Sequence, residues 1–324
     1  MRTEKKTRQM LVGTSPSQDI YLSIVVPVYC SALILPELYA RLHSSLGKLQ
    51  QSWELILVDD GSLDESFSVI QKISNLHPEV RGVRLSRNFG HAAAIGIGLR
   101  NTRGQIIAIM DDDLQDPPEI LPKMLQKIEG GADVVYGVRS SRPEKGPRAW
   151  AYLVYYRLLR ILTRIEIPND AGDFGLMRKR VVDAMLSMET SQPFWRGVRA
   201  WTGFRQQPFP YARRERKSGQ SGYSFKKLLG FGVTGVIGFS SVPLRVATFL
   251  GVASGILAIS YGVYAVIMYL YGSNIPPGFT ALVVLICLLG SGQLLCLGII
   301  GEYIISMSRD IRRWPNAIIS EKTF

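Results

Sequence analysis

Three adjacent aspartates, Asp111, Asp112 and Asp113, form the most chemically suggestive stretch of the sequence. They follow the apolar run Ile106–Met110 and precede Pro117, so they lie where a buried strand is expected to end. Carboxylates this close raise one another's pKa values, and a bound cation would relieve their repulsion. Oxygen ligands of this kind suit Mg²⁺ or Mn²⁺, which complete their coordination with water and phosphate oxygens. The run therefore predicts a divalent metal site, and the simpler alternative is a solvated acidic loop before a helix that starts at Pro117.

Apolar runs alternate with helical patterns over the first half of the chain, which predicts an α/β fold. Leu35, Leu38, Leu42 and Leu46 recur at three- and four-residue steps, as on one face of a helix. We therefore expect a mostly parallel sheet that is covered by helices on both faces. The predicted strands are Leu22–Val28, Trp53–Val58, Val80–Leu85, Gln105–Met110 and Ala132–Tyr136.

The carboxyl ends of these strands carry polar or charged residues, and open α/β sheets bind their ligands at that edge. Any one of these ends could be an ordinary turn, but together they outline a cleft. The strand ends are Pro27–Tyr29, Asp59–Ser62, Ser86–Gly90, Asp111–Asp116 and Gly137–Arg139.

A long uncharged stretch predicts that the chain is anchored in a lipid bilayer. No Asp, Glu, Lys or Arg occurs from Val246 to Gly301, whereas one helical span needs roughly 20 apolar residues. Glycines and prolines at 272–278 divide the stretch, so we expect two transmembrane helices at about 246–271 and 279–307. Arginines flank this pair on the side away from the uncharged connection, which predicts a multi-pass inner-membrane protein with both termini and the α/β domain in the cytoplasm. A buried helical pair in a soluble domain is the alternative.

The net charge of +12 lies almost wholly outside the predicted membrane helices and favours an anionic partner. With a membrane hairpin in the chain, lipid headgroups and phosphorylated substrates are expected as partners, and nucleic acid is not. Cys30, Cys287 and Cys296 show no paired or metal-ligand spacing, so they are predicted to be small apolar fillers. Residues 1–20 are basic and polar, which predicts a disordered tail.

Five motifs resemble those of the family 2 glycosyltransferases and occur in that family's order. Within the family, the chain is similar to the polyprenyl-phosphate glycosyltransferases, which include dolichol-phosphate mannose synthases and bacterial undecaprenyl-phosphate glucosyltransferases. The resemblance covers roughly residues 21–315 and implies the A-type nucleotide-diphosphosugar transferase fold. The motifs are Ser23–Tyr29, Leu57–Ser62, Arg87–Gly90, Asp111–Pro118 and Asp170–Phe174, with Gly301–Ile304 in the second membrane helix.

The resemblance also implies roles for single residues on the donor side. The implied nucleotide pocket is lined by Pro27, Tyr29, Asp59, Asp60 and Asp111. The implied ligands of Mg²⁺ or Mn²⁺ are Asp111, Asp113 and Gln115, and the ion would stabilise the departing diphosphate. Asp112 stands where the family usually carries a small residue, and its carboxylate is expected to point away from the ion.

On the acceptor side, the resemblance implies phosphate-binding arginines at Arg139 and Arg148, and it implies that Arg216 clamps the donor phosphates. A planar guanidinium suits this work, because two anionic substrates have to be brought together. Asp113 and Asp170 are the implied catalytic residues, with Asp170 expected to orient the sugar or to act on the acceptor side. A polyprenyl phosphate is already an anion near neutral pH, so the chemistry needs no catalytic histidine, and His91 is expected to lie near a motif without taking part.

Together these features predict a membrane-bound, inverting glycosyltransferase that moves a sugar from a nucleotide-diphosphate donor to polyprenyl phosphate. UDP-glucose is the expected donor, with GDP-mannose or a UDP-amino sugar as alternatives. A processive polysaccharide synthase, a lipid-linked sugar flippase component and a membrane-tethered nucleotide-binding regulator are the other functions considered. Glycines near the start of the first membrane helix would permit a homo-oligomer. The expected division is 1–20 tail, 21–223 catalytic domain, 224–245 interfacial amphipathic segment, 246–307 membrane hairpin and 308–324 cytoplasmic tail.

Overall fold

The computed structural model describes residues 20–47, 49–139, 171–188, 193–212, 242–271, 278–312 and 314–324. Numbered in chain order, the strands are β1 (Leu22–Val28), β2 (Trp53–Asp59), β3 (Val80–Leu85), β4 (Ile106–Ile109), β5 (Val134–Arg139), β6 (Ala171–Arg178), β7 (Gln206–Tyr211) and β8 (Ile319–Lys322). The helices are α1 (Leu35–Leu46), α2 (Ser66–Leu76), α3 (His91–Arg100), α4 (Leu121–Glu129), α5 (Lys179–Leu186), α6 (Trp195–Trp201), α7 (Val242–Leu270) and α8 (Phe279–Ile311).

All eight strands belong to one sheet in the order β7-β5-β6-β4-β1-β2-β3-β8. Strand β1 lies at its centre, with Leu22 opposite both Trp53 of β2 and Ile106 of β4 in parallel register. Strands β6 and β8 run antiparallel to their neighbours, so the sheet is mostly parallel, as predicted. Because β6 is reversed, its first residues lie at the same edge as the carboxyl ends of β1 to β5.

Both faces of the sheet are covered, which is the layered α/β arrangement that the alternating pattern predicts. On one face, α1, α2 and α4 bury leucine and isoleucine side chains such as Leu38, Ile70 and Leu125 against the sheet. On the other face, α3, α5 and α6 pack through residues such as Ile95 and Val182. The two cores hold the strands rigidly, so the backbone positions at the strand ends are fixed relative to one another.

The first four predicted strands are confirmed to within one residue at either end, but the fifth starts later than predicted. Strand β5 begins at Val134, because the amide of Ala132 still bonds to the Lys127 carbonyl at 3.2 Å and closes the end of α4. Strands β6, β7 and β8 were not among the predicted strands. Cys30 is exposed and does not fill the core, which corrects the expectation for that cysteine.

Helices α7 and α8 are long and apolar enough to cross a membrane, with mean hydropathies of 1.5 over Ala247–Tyr264 and 1.6 over Leu288–Ile305. Many of their apolar side chains are exposed, among them Phe249, Ile256 and Leu294. Helix α7 starts at Val242, so the last residues of the predicted interfacial segment belong to this helix. The rest of that segment and residues 1–19 of the predicted tail at 1–20 lie outside the described residues.

The end of the chain returns to the sheet after α8. Strand β8 pairs antiparallel with β3, and it starts at the carboxyl end of β3, where the Ser86 amide donates to the Ile318 carbonyl at 2.9 Å. The last residue, Phe324, lies under the Arg81 guanidinium, 3.8 Å from the ring centre. The tail therefore completes one edge of the sheet, a role that the sequence did not predict.

Candidate functional site

The exits of β1 and β4 share an uncommon backbone conformation. Cys30 and Leu114 have φ angles of 52° and 56°, in the left-handed region that residues other than glycine rarely adopt. Such strain is retained where the surroundings over-determine it, and it clusters at functional sites. The two exits touch, because the Tyr29 amide donates to Asp112 Oδ2 at 3.4 Å. Asp112 thus faces the exit of β1, whose Tyr29 side chain is half exposed while Pro27 is buried within the strand.

Asp59 and Asp60, at the end of β2, are buried and have different partners. Asp59 Oδ1 accepts from the Ser62 amide at 3.1 Å, whereas its Oδ2 is buried without a hydrogen-bond partner, 3.4 Å from Arg84 Nε. Asp60 accepts the backbone amides of Phe89 and Gly90 at 2.7 and 2.9 Å and so fixes the start of α3. Burial raises the pKa of both carboxyls above the ordinary value. Asp59 is therefore paired with Arg84 without a hydrogen bond to its Oδ2, while Asp60 holds a neighbouring loop.

The acidic run lies at the end of β4 as the sequence predicted, and its first carboxylate is incompletely satisfied. Asp111 Oδ1 is buried and has no hydrogen-bond partner. Burial raises the pKa of Asp111, and the charges of Asp173, Asp113 and Asp112 raise it further. The backbone turns at Leu114, and the Gln115 amide donates to Asp113 Oδ1 at 3.1 Å, so Asp113 and Gln115 flank the same turn.

The donor set of this turn fits a hard divalent cation. Two carboxylates and one amide supply only oxygen ligands, and the orphaned Asp111 oxygen is the atom that a cation would satisfy. Over the ranges described, no three His, Cys, Asp or Glu side chains are grouped as a complete metal site. Mg²⁺ and Mn²⁺ do not require one, because water and phosphate oxygens commonly fill the remaining positions.

His91, the first residue of α3, lies between two carboxylates of this edge. Its Nε2 is 3.5 Å from Asp111 Oδ1 and 3.8 Å from Asp173 Oδ2. Burial alone would lower the pKa of His91, but Asp173 and Asp111 together raise it above the ordinary value. His91 therefore lies beside the motif, as expected, and that it takes no direct part in the chemistry stays a prediction.

Asp173, in the reversed strand β6, is held from the other side by α6. Arg196 binds it with two parallel hydrogen bonds, Nε to Oδ1 at 3.0 Å and Nη2 to Oδ2 at 3.1 Å. Burial alone would raise the pKa of Asp173, but Arg196 and His91 hold it well below the usual range. Asp173 is therefore an anion at neutral pH, next to a carboxyl, Asp111, whose pKa is shifted the opposite way.

A second arginine of α6 is buried behind Asp173. The Arg199 side chain is 4% exposed and donates from Nη2 to the Gly172 carbonyl at 3.4 Å, while its Nε has no hydrogen-bond partner. Burial lowers the pKa of Arg199 to about 10. Arg196 and Arg199 were not predicted as site residues, although they lie three residues apart on one short helix, as polar residues of one helix face do.

The described ranges contain some but not all of the predicted site residues. Pro27, Tyr29, Asp59, Asp60, Asp111, Asp113 and Gln115 lie at one edge of the sheet, as predicted from the strand ends. Arg139 is the last residue of β5, and only its backbone is described. Arg148, Asp170 and Arg216 lie outside the described residues, so their roles remain predictions.

The family model "Glycosyl transferase family 2" matches residues 23–186, which span β1 to α5. An uncharacterized glycosyltransferase of Bacillus subtilis, YkcC, is 38% identical over 94% of this chain and 95% of its own length. A prophage-derived bactoprenol glucosyl transferase of Shigella flexneri is 31% identical over 93% of this chain and 97% of its own length.

Among solved structures, the chain is similar to glucosyl-3-phosphoglycerate synthase from Mycobacterium tuberculosis in complex with Mn²⁺, UDP and glucosyl-3-phosphoglycerate. The TM-score is 0.48 at 16% identity, over 67% of this chain and 78% of that chain.

Proposed function

Because the chain belongs to glycosyltransferase family 2, we propose that it transfers a sugar from a nucleotide-diphosphate donor to a polyprenyl phosphate in the membrane. The first-choice donor is UDP-glucose, since relatives named bactoprenol glucosyl transferase align over almost their whole length. GDP-mannose and UDP-amino sugars are the alternative donors. The proposed location is the cytoplasmic face of the inner membrane, with α7 and α8 as the two spans.

One observation carries the choice of a lipid acceptor: the acidic strand exit and two long apolar helices lie in the same chain, and the tail after α8 returns to the sheet. Helix α8 ends at Ile311, and β8 starts at Ile319, beside the carboxyl end of β3. Eight residues of extended chain reach at most roughly 28 Å, so the end of α8 lies within that distance of the site edge. A cleft in this position suits an acceptor phosphate at the membrane surface.

On the donor side, we assign the cation to Asp111, Asp113 and Gln115. When bound, it supplies a Lewis acid for the diphosphate leaving group. Asp59, whose Oδ2 accepts no hydrogen bond and lies 3.4 Å from Arg84 Nε, is assigned to a base ring nitrogen. The half-exposed Tyr29 ring offers a surface on which a base can pack. Asp60 supports the pocket indirectly by holding the start of α3.

On the acceptor side, Arg139 and Arg148 are the cations that we assign to the acceptor phosphate, while Arg216 is assigned to the donor phosphates. Their charge offsets the repulsion between the two anionic substrates. The acceptor phosphate attacks the anomeric carbon directly, so no strong base is required, and in-line displacement inverts the configuration. Asp170 is assigned to sugar orientation, and the ionised Asp173 adds negative charge near the carbon where positive charge develops.

A transfer assay tests this function. Full-length protein in detergent is given Mn²⁺, undecaprenyl phosphate and radiolabelled UDP-glucose, a UDP-amino sugar or GDP-mannose, and labelled lipid is extracted. We expect labelled lipid with wild type and the Asp183→Asn control, which alters an exposed carboxylate paired with Lys179 at 3.2 Å. Asp113→Asn should lower the rate by about 100-fold or more, as expected for a lost group that stabilises the leaving group. Absence of labelled lipid with every donor, or full activity of Asp113→Asn, would refute the proposal.

A further inference from the structure

The contacts around His91 form a closed ring that joins three elements. The residue after it, Ala92, accepts a hydrogen bond from Trp195 Nε1 at 2.7 Å, which ties α3 to α6. The residue after Trp195 is Arg196, which binds Asp173 with two hydrogen bonds. Asp173 Oδ2 in turn faces His91 Nε2 at 3.8 Å and closes the ring.

This ring has little freedom to shift. A Cβ at Gly96 would lie 3.0 Å from Trp195 Cζ2, so α3 and α6 are in close contact where the ring passes between them. The start of α3 is fixed by the two amides that Asp60 accepts. His91 therefore has a defined position, and the ring transmits that position to Asp173.

His91 is also the member of the ring that touches the acidic exit of β4. Its Nε2 lies 3.5 Å from Asp111 Oδ1, the buried oxygen without a hydrogen-bond partner. The side chain is 45% exposed, so it contributes little to the core. Packing does not explain the position of this half-exposed histidine. Its contacts through Nε2 with two carboxylates at this edge do.

We propose that His91 is a positioning residue that sets the distance between Asp111, on the donor side, and Asp173, on the acceptor side. The proposal deepens the function above and rests on it for its catalytic consequence. Arg196 holds Asp173 from the opposite side, so His91 and Arg196 act on the same carboxylate. Without His91, Asp173 keeps its charge through Arg196 but loses its fixed position relative to Asp111.

Two measurements test this. In the transfer assay, His91→Ala should lower kcat by up to about 100-fold, the loss expected for a misplacement of about 1 Å. The Kd of UDP-glucose, measured by calorimetry with Mn²⁺, should change by less than about threefold, since donor contacts are left in place.

The second measurement does not depend on activity. Amide hydrogen exchange in the peptide that contains Asp173 should be faster in His91→Ala and in Arg196→Gln than in wild type. The fold reduction in kcat of the double variant should be smaller than the product of the fold reductions of the two single variants, because both residues act through one carboxylate.

Matched controls are a histidine–carboxylate pair and an arginine–carboxylate pair that lie away from the site. His43→Ala removes a histidine 3.7 Å from Glu79, and Arg180→Gln removes an arginine that binds Asp133. Both should leave kcat and the exchange of the Asp173 peptide unchanged. Unchanged exchange in His91→Ala, or independent losses in the double variant, would overturn the positioning role. A wild type that forms no labelled lipid would instead refute the proposed function, while the exchange measurement would still decide the role of His91.

Discussion

Glu54 and Asp111 differ in how the hydrogen-bonding capacity of their buried oxygens is met. Glu54, in β2, is fully buried and accepts from Ser23 Oγ at 2.6 Å and from the amide and guanidinium of Arg103 at 2.8 and 2.9 Å. Arg81 adds a further contact at 3.0 Å. Asp111, at the opposite edge, keeps a buried oxygen without any such partner. A satisfied acid stabilises the fold, whereas an unsatisfied one marks a place where a ligand is expected.

The pKa of Glu54 predicts how stability depends on pH. Burial alone would raise this pKa, but hydrogen bonds from Ser23 and Arg103 lower it below the ordinary value. A carboxyl with a lowered folded pKa stabilises the protein above its unfolded pKa of about 4.3, and this contribution is lost as pH falls through the folded value. Glu54→Gln should therefore cost about 3 kcal/mol at pH 7, since it breaks a buried ion pair.

Thermal unfolding in detergent between pH 7 and pH 3 checks the predicted pH dependence of the contribution of Glu54 to stability. The gap in Tm between wild type and Glu54→Gln should narrow as the pH falls. Glu119→Gln is the control, because Glu119 is half exposed in its pair with Arg41 and should cost less than about 1 kcal/mol. A gap that is constant across this range would contradict the assignment.

At the scale of elements, the loops after β2 and β3 are locked together, and Gly61 is the point of contact. Its φ is +65°, and a Cβ there would lie 2.4 Å from the backbone carbon of Arg87. A side chain at this position would push the loop before α3 away and with it His91.

Gly61→Ala should therefore lower both stability and transfer activity. Gly203→Ala is a matched control, since Gly203 has a φ of +70° but a Cβ added there would meet no atom within 4 Å. Both changes share the conformational cost of about 1 kcal/mol, so any larger effect of Gly61→Ala measures the clash. Equal melting temperatures and rates for the two variants would show that the loops are not locked at Gly61.

The sequence was informative about elements whose residues are neighbours along the chain. Periodicity predicted β1 to β4 and α1, and the strand-end rule brought Asp59, Asp60 and Asp111 to one edge. Periodicity did not predict the edge strands β7 and β8, because Gln206–Tyr211 contains two prolines and Ile319–Lys322 is short and polar. Pairing of His91 and Arg196 with Asp173 depends on a reversed strand and on the docking of α6, which no local pattern encodes.

At the scale of the whole molecule, the chain closes on itself through its C-terminal tail. Strand β8 pairs with β3, with Lys322 opposite Val83. The Thr323 amide donates to the Gly82 carbonyl, and Thr323 Oγ1 accepts from the Gly82 amide. Phe324 packs against Arg81. The tail thus covers an edge that would otherwise expose unpaired backbone groups. It also joins the catalytic sheet to the end of α8.

These two roles of the tail can be separated. Removal of residues 319–324 should lower the Tm of the catalytic domain and speed its proteolysis, because the edge of β3 is uncovered. Insertion of ten Gly-Ser residues after Pro315 keeps β8 but lengthens its connection to α8. That variant should keep the wild-type Tm and lose transfer to membrane-embedded acceptor. If the insertion variant is fully active in vesicles, the tail does not hold the cleft near the bilayer.

We propose that the oxygen atoms at the exit of β4 bind a divalent cation together with the donor diphosphate. The most direct measurement is calorimetric titration of the full-length protein with Mn²⁺ in the presence of UDP. We predict saturable uptake of one Mn²⁺ per chain by wild type and by Asp183→Asn, and loss of that uptake in the Asp111→Asn/Asp113→Asn double variant. The cation site is refuted if wild-type protein takes up no Mn²⁺ and binds UDP with the same Kd with and without Mn²⁺.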